Sequence, residues 1–442
     1  MPRENISSNK IERLAFYNLV TKFLLVSLKF SIVVLVVRFF GAEGRGLFVS
    51  INQVAGVVVN LFSLSTGDSL IHRISSRTIH RGDIFYSSLI LVFFISFFSI
   101  LIFSGVESIF DNFLGLGEYA DYIVYLIPAF LMEYIASSSI RGCNKHREIN
   151  VLSILGRLNI LIFISMSVFF GKDTLHSFIE FYVYSLWVNV VVYYFYLKKI
   201  NGPSQNNFSF RKNIYETLKY SLTIHPMVLL MEVENRFDIF ILLYFVSLEA
   251  IGIYSIGVTM VQLSFYVSNS INTILFPYFS GSAHDLNLDK VIRSIRYSFV
   301  IDSLLVFFLL ITGSFLIDLF FGGEFKDAFL VMVILLPGVI FDSISRIIVT
   351  WAKSFGHGLK MAPISIMTLS VNIILGILLV YLYGIIGAAV ASLISYTLRS
   401  FLFIRVFKKT NNYADSLIPK KEDYWYVYQK TRELLYLLIF RR

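Results

Sequence analysis

Charge is scarce in this sequence. Of its 442 residues only 15% are Asp, Glu, Lys or Arg, where a soluble domain carries about 25%. Cysteine is scarcer still. Cys143 stands alone, which excludes an intrachain disulfide framework and a cysteine-based metal site. The seven histidines are scattered, and only His225 falls inside an apolar run. No His-Asp or Ser-His-Asp set converges on one face, so hydrolytic and acyl-transfer chemistry lack their residues. What is abundant is apolar surface: 56% hydrophobic residues, with 26 Tyr and 44 Phe, and a mean hydropathy of +0.72. The apolar residues come in long runs, which makes this a polytopic membrane protein. Residues 1–13 are polar and the first apolar run is long enough to span, so it is expected to remain as a membrane helix and not as a cleaved signal.

A bilayer core needs about 20 apolar residues per helix. Such runs fall near residues 16–40, 47–70, 84–104, 120–140, 149–170, 174–197, 214–246, 252–278, 298–320, 328–352, 361–381 and 384–405, which predicts about twelve spans. Backbone in lipid must satisfy its own hydrogen bonds, so the spans are helices. With the N-terminus inside, the inner segments carry Arg3, Lys10, Arg13, then Arg73, Arg77, Arg81, then Arg141, Lys145, Arg147, and a basic C-terminal tail. The outer connections carry only Arg45, Lys172 and Lys326. This asymmetry places both termini in the cytoplasm. It accounts for most of the net charge of +9 without nucleic acid as a partner; contact with membrane lipid is enough. The longest outer connection is 105–120, too short for a polymerase-type outer loop. The tail segment 423–440 is too short and charged for a further span. It reads as an amphipathic surface helix or as a helix packed on the bundle.

Two stretches recur half a chain apart. EGRGLF (43–48) aligns with EAIGIY (249–254) at an offset of 206, and LIPAFLME (126–133) with LLPGVIFD (335–342) at 209. An even number of spans separates the copies, so the halves share one orientation. The expected organisation is a cytoplasmic segment 1–13, a six-helix bundle 14–200, a linker 201–213, a second six-helix bundle 214–406, and a basic tail 407–442. Parallel repeats of this kind build secondary transporters, with the substrate site near the midplane.

The chain resembles the O-antigen and polysaccharide flippases (Wzx-type) of the multidrug, oligosaccharidyl-lipid and polysaccharide exporter superfamily. The resemblance is carried by VRFFGAEGRGLF (37–48), NRFDIFILLYFVSLEAIGIYSIG (235–257), PYFSG (277–281), WAKSFGHG (351–358) and YGIIGAAVASLISY (383–396). It implies an all-α protein of two six-helix bundles around a central cavity, and export of an undecaprenyl-pyrophosphate-linked oligosaccharide across the bacterial cytoplasmic membrane by alternating access. It implies no cofactor beyond a coupling H+ or Na+. Other polysaccharide-assembly membrane proteins are the protein partners it suggests. An ion-coupled multidrug or metabolite exporter of the same fold is the competing expectation.

The stretch MEVENRFDIFILLYF (231–245) sets four charges in a span. Each central Asp, Lys or Arg costs about 2.5–3.5 kcal/mol on insertion, so these side chains are expected to face protein or water. Glu232 and Arg236 are four apart in the favourable order for a helix pair. Glu234 and Asp238, also four apart, are expected to share another face, where like charges favour a retained proton. The offset of 206 sets Lys29 opposite Asn235, with Lys22 on the same helix face. Lys22, Lys29, Arg157, Arg236 and Arg346 are the candidate ligands of the pyrophosphate. Glu133, Glu232, Glu234, Asp238 and Asp342 are candidates for ion coupling or charge pairing, with a purely structural helix clamp as the open alternative. Arg38, Asp302 and Arg399 are expected to snorkel to a membrane face. His225, beside Pro226, is expected to pack in a kinked helix.

Overall fold

The computed structural model describes residues 8–75, 81–114, 116–143, 145–170, 174–201, 210–234, 236–280, 284–354, 358–413 and 416–440. These form helices and, among the described residues, no strands. The helices are α1 (Ser8–Phe62), α2 (Thr66–Ser75), α3 (Arg81–Leu114), α4 (Asp121–Gly142), α5 (His146–Phe169), α6 (Leu175–Asn201), α7 (Phe210–Glu234), α8 (Phe237–Phe245), α9 (Leu248–Ser280), α10 (His284–Phe320), α11 (Asp327–Ser354), α12 (Gly358–Thr410) and α13 (Lys421–Phe440). Among the described residues, eight helical stretches are long and apolar enough to cross a membrane. The protein is thus an all-α polytopic membrane protein.

Two of those stretches are far longer than one crossing. The 55 residues of α1 would extend about 80 Å if straight, against a hydrocarbon core of about 30 Å. Gly41 breaks it, at φ 62° and ψ −161°. Gly384 breaks the 53-residue α12 in the same way, at φ 56° and ψ −133°. These positive φ values are open to glycine and strained for other residues, and both fall where the sequence predicts one span to end and the next to begin.

Two predicted spans are not continuous. The run 47–70 stops at Phe62; Leu64 and Ser65 take positive φ, and the chain restarts as α2. The run 214–246 is broken between Glu234 and Phe237, with Arg236 at φ −127° and ψ −9°. Its amide reaches only three residues back, to the Val233 carbonyl at 3.0 Å, and Pro226 earlier in α7 has no amide proton to donate.

The membrane environment inverts the usual side-chain sorting. Along α3, Ser87, Ser88, Ser96 and Ser99 are buried while Phe93, Phe97 and Phe98 are exposed. Lipid is as apolar as leucine, so helices associate through small and polar residues and leave large apolar ones outside.

The chain resolves into two compact units, residues Met1–Gly252 and Ile253–Arg442. Within the first, the chain beyond Gly41 crosses the start of α9 with backbone nearly touching backbone. A Cβ on Gly46 would meet the Leu248 carbonyl, and a Cβ on Gly252 would meet the Ala42 carbonyl, each inside 2 Å. Residues 42 and 248, like 46 and 252, are 206 apart. Contact of i with j and of j with i in this manner is the mark of a local two-fold relation. It rests on the same glycine pair that carries the sequence repeat.

In the second unit α11 packs along both α10 and α12. Trp351 is fully buried and sits edge-on to Phe407 at 4.9 Å. The tail helix α13 packs on α10: Asp423 and Val427 are buried, and Tyr426 stacks on Tyr297 at 4.7 Å. Arg296 holds the approach to it, donating to the Ser416 carbonyl at 2.8 Å and standing 3.9 Å from Asp423.

Candidate functional site

The break between α7 and α8 sets the geometry of the charged stretch. Arg236 lies at the break, so its guanidinium swings across to α1 beyond Gly41. It donates to Gln53 Oε1 at 2.5 Å and pairs with Glu232 at 3.6 Å. Glu232 in turn accepts from Asn60 Nδ2 at 3.5 Å. Gly56 lies under the guanidinium, and a Cβ there would come within 2.6 Å of Nη1. Gln53, Gly56 and Asn60 are spaced i, i+3, i+7 and so share one helix face. One face of α1 thus holds an Arg–Glu pair whose members are both part-exposed.

Glu234 and Asp238 stand on either side of the break, at the end of α7 and in the first turn of α8. Glu234 is buried at the end of α7. Asp238 lies in the first turn of α8, where its Oδ1 accepts the Ile239 amide at 2.8 Å and its charge suits the positive helix end.

Lys29, from α1 before Gly41, stands within electrostatic reach of Arg157 of α5, Arg45 of α1 beyond Gly41, and Arg236. Three elements and the break therefore bring four cations into one neighbourhood. Lys29 and Arg157 are exposed at the protein surface. Glu133 of α4 is their acidic neighbour, within reach of Arg157 and Arg141. Tyr182 lies beside the same pair and donates to Asn52 Oδ1 at 2.7 Å. The Lys22 side chain and Asn235 lie outside the described residues.

Arg45 corrects the sequence reading. It was expected to be an outer-loop charge, but it is buried, because the turn at Gly41 carries residues 42–48 straight into the packed crossing with α9. Arg45, Gln53 and Gly56 were not among the residues expected in the cluster. The only signal available was a polar residue every few positions in an apolar run.

The second unit holds a different cluster. Asp342 of α11 accepts from Arg346 Nε at 2.6 Å and from Arg399 of α12 on its other oxygen. Asp342 and Arg399 are buried, and the Arg399 guanidinium lies 5.1 Å from the Tyr396 ring centre. Arg399 therefore does not snorkel, and neither does Asp302, which is fully buried. Arg399 points into protein, where Asp342 replaces water.

A polar seam joins α2 to α7. Ser65 Oγ is 3.1 Å from His225 Nδ1, and Ser69 donates to the Thr217 carbonyl at 2.8 Å. His72 stacks on Tyr220 at 4.3 Å. Arg73, buried, donates to the Asn213 carbonyl and Thr217 Oγ1 at 2.7 Å each and to Glu216 at 2.6 Å. His225 is packed, as the sequence predicts, but as one rung of this seam.

A family profile described as polysaccharide biosynthesis protein matches residues 13–283. The chain belongs to this family. The polysaccharide biosynthesis match covers the broken segment and all four clustered cations; the Asp342 cluster lies beyond it. The chain is similar to a probable low-salt glycan biosynthesis flippase, Agl15 of Haloferax volcanii, at 24% identity over 83% of this chain and 76% of the relative. In fold it is similar to the lipid II flippase MurJ in an inward closed conformation, with a TM-score of 0.72 at 14% identity, covering 96% of this chain and 92% of MurJ. It is equally similar to an inward-facing multidrug resistance MATE transporter of the MOP superfamily, with a TM-score of 0.72 at 13% identity over 90% of this chain and 98% of that one. The fold is thus shared by flippases and drug exporters alike.

Proposed function

We propose that this protein is a flippase that carries an undecaprenyl-pyrophosphate-linked oligosaccharide across the bacterial cytoplasmic membrane by alternating access. The observation that carries this reading is that Lys29 stands within electrostatic reach of Arg157, Arg45 and Arg236. Four cations held together in a span repel one another and are costly to desolvate. A diphosphate offsets both costs: arginine supplies paired donors to phosphate oxygens and lysine a mobile point charge. Lys22 is assigned to the same headgroup from its sequence spacing to Lys29, whereas Arg346, held by Asp342, belongs to the clamp of the second unit.

In this reading residues 14–200 and 214–406 are the two rocking halves. The termini and the segments around Arg73 and Asn213 face the cytoplasm, and the turn at Gly41 faces outward. The Gly46–Gly252 crossing closes the outer end and the α2–α7 seam the inner end, and each cycle parts one while the other holds. The polyprenyl chain stays in lipid throughout. Coupling to H+ or Na+ falls to Glu234 and Asp238, which flank the break, with Glu133 and Glu232 balancing the cations and Asp342 clamping α11 to α12.

The test is transport in vesicles of a fluorescent polyprenyl-diphosphate disaccharide by purified protein. Wild type should translocate it, and Lys29→Ala and Arg236→Ala should each lose it while folding normally. Translocation at the wild-type rate in both variants would remove the headgroup role. The equal likeness to a MATE fold keeps an ion-coupled exporter as the second reading. Gradient-driven efflux of cationic dyes with no movement of the disaccharide would decide for it.

A further inference from the structure

Among the described residues, none covers the outward face of the tail helix from Lys421 to Arg432, and the residue pattern of that face identifies what does. α13 buries Asp423 and Val427 against α10. On the opposite face Lys421, Trp425, Tyr428 and Arg432 follow one another at i, i+4, i+7 and i+11, and all four are exposed. That spacing keeps them in a single stripe along the helix. Trp425 is 61% exposed and Tyr428 57%, and their rings stack on each other at 5.6 Å. Tyr424, half exposed, borders the stripe, and Lys420 lies just before the helix, also exposed.

The depth of the helix is set by its contact. Tyr426 stacks on Tyr297, six residues inside the apolar stretch Val291–Phe320 of α10. At 1.5 Å per residue this is about 9 Å along the helix, so with Val291–Phe320 read as a span α13 meets it near its end, at the level of the headgroups. Trp and Tyr concentrate at this level of a bilayer, where an apolar ring with a polar edge matches both sides. Lysine and arginine at the two ends of the stripe match anionic headgroups.

We infer that the Lys421–Trp425–Tyr428–Arg432 face of α13 docks on the anionic headgroup layer of the bilayer, holding α13 along the membrane surface while its other face grips α10. The helix is then a lateral anchor for the second unit. Glu422, adjacent to the stripe, is exposed; the two cations within the stripe outweigh it.

Trp425 reports directly on this. The protein is reconstituted in phosphatidylcholine vesicles with or without phosphatidylglycerol, using lipids brominated near the top of the acyl chains. Its fluorescence is compared with that of Trp425→Phe, so that the difference isolates Trp425 from Trp187 and the buried Trp351. The Trp425 signal should be quenched by the bromolipid and shielded from aqueous acrylamide, more so with phosphatidylglycerol and less so at high salt. Lys421→Gln and Arg432→Gln, both surface changes, should each shift the docked-to-lifted ratio about fivefold toward lifted. Acrylamide quenching as strong in vesicles as in detergent, with no bromolipid effect, would overturn the inference. Shielding in native membranes but not in vesicles would overturn it too, and would assign the stripe to a protein partner. The readout needs no transport, so its failure is separate from failure of the flippase reading.

Discussion

The Arg–Glu pair at the α7–α8 break and the Asp342 cluster contain the same chemical groups in opposite arrangements. In the second unit one carboxylate is held by two arginines, one on α11 itself and one on α12 beyond Gly384, with Asp342 and Arg399 out of contact with solvent. In the first unit cations predominate, the helix is interrupted, and Arg236, Glu232, Lys29 and Arg157 all keep some exposure. A buried ion pair with saturated hydrogen bonds has little left to offer a ligand, and removing one member leaves an uncompensated charge. An excess of one sign in accessible positions is the arrangement that a counter-charged ligand completes. Under the proposed function the comparison separates a clamp from a headgroup site, although both look alike in sequence as acid and base four residues apart.

Breaking the clamp should give the largest effect. Asp342→Ala strands two arginines beside each other and should cost about 3–5 kcal/mol of stability, read as a lower melting temperature in detergent and depleted protein in the membrane. The double change Asp342→Leu with Arg399→Met should recover most of it, since apolar replacement of a buried pair is often near neutral. Arg236→Ala should do the reverse: protein levels within the normal range, but disaccharide translocation reduced at least tenfold. If it melts as Asp342→Ala does, the two clusters are both clamps and the distinction fails. Gly56→Leu should act in the same direction with less force, because it displaces the guanidinium from Gln53 without removing the charge. Its expected signature is a translocation rate between wild type and Arg236→Ala. Asp238→Asn should be mildest for the fold, about 0.3–1 kcal/mol from the lost charge at the start of α8. Its transport should persist but no longer respond to an imposed H+ or Na+ gradient; an unchanged gradient response would reassign the coupling.

Most of the fold was legible because lipid imposes a strong rule on sequence. Runs of apolar residues marked the helices, and the ends of the runs near Gly41 and Gly384 marked the turns within α1 and α12. The repeat of EGRGLF in EAIGIY pointed to the two glycines that meet. The site was only partly legible. Charge spacing found Glu232–Arg236 and Asp342–Arg346, which stay within one turn of chain. It gave no warning of the break at Arg236, because a continuous apolar run carries no signal for one. It missed Arg45 and Arg399 as site or clamp residues, because each meets its neighbours through helices distant in sequence.

The sequence by itself determined that this chain lives in a bilayer, that it is built of helices, and where most of them turn, because hydrocarbon excludes unpaired backbone and charge wherever they are exposed to it. Only the tertiary structure decided which of the excluded charges neutralise one another and which remain over. That depends on how helices far apart in the chain are rotated about their axes, and no local pattern of residues specifies that rotation.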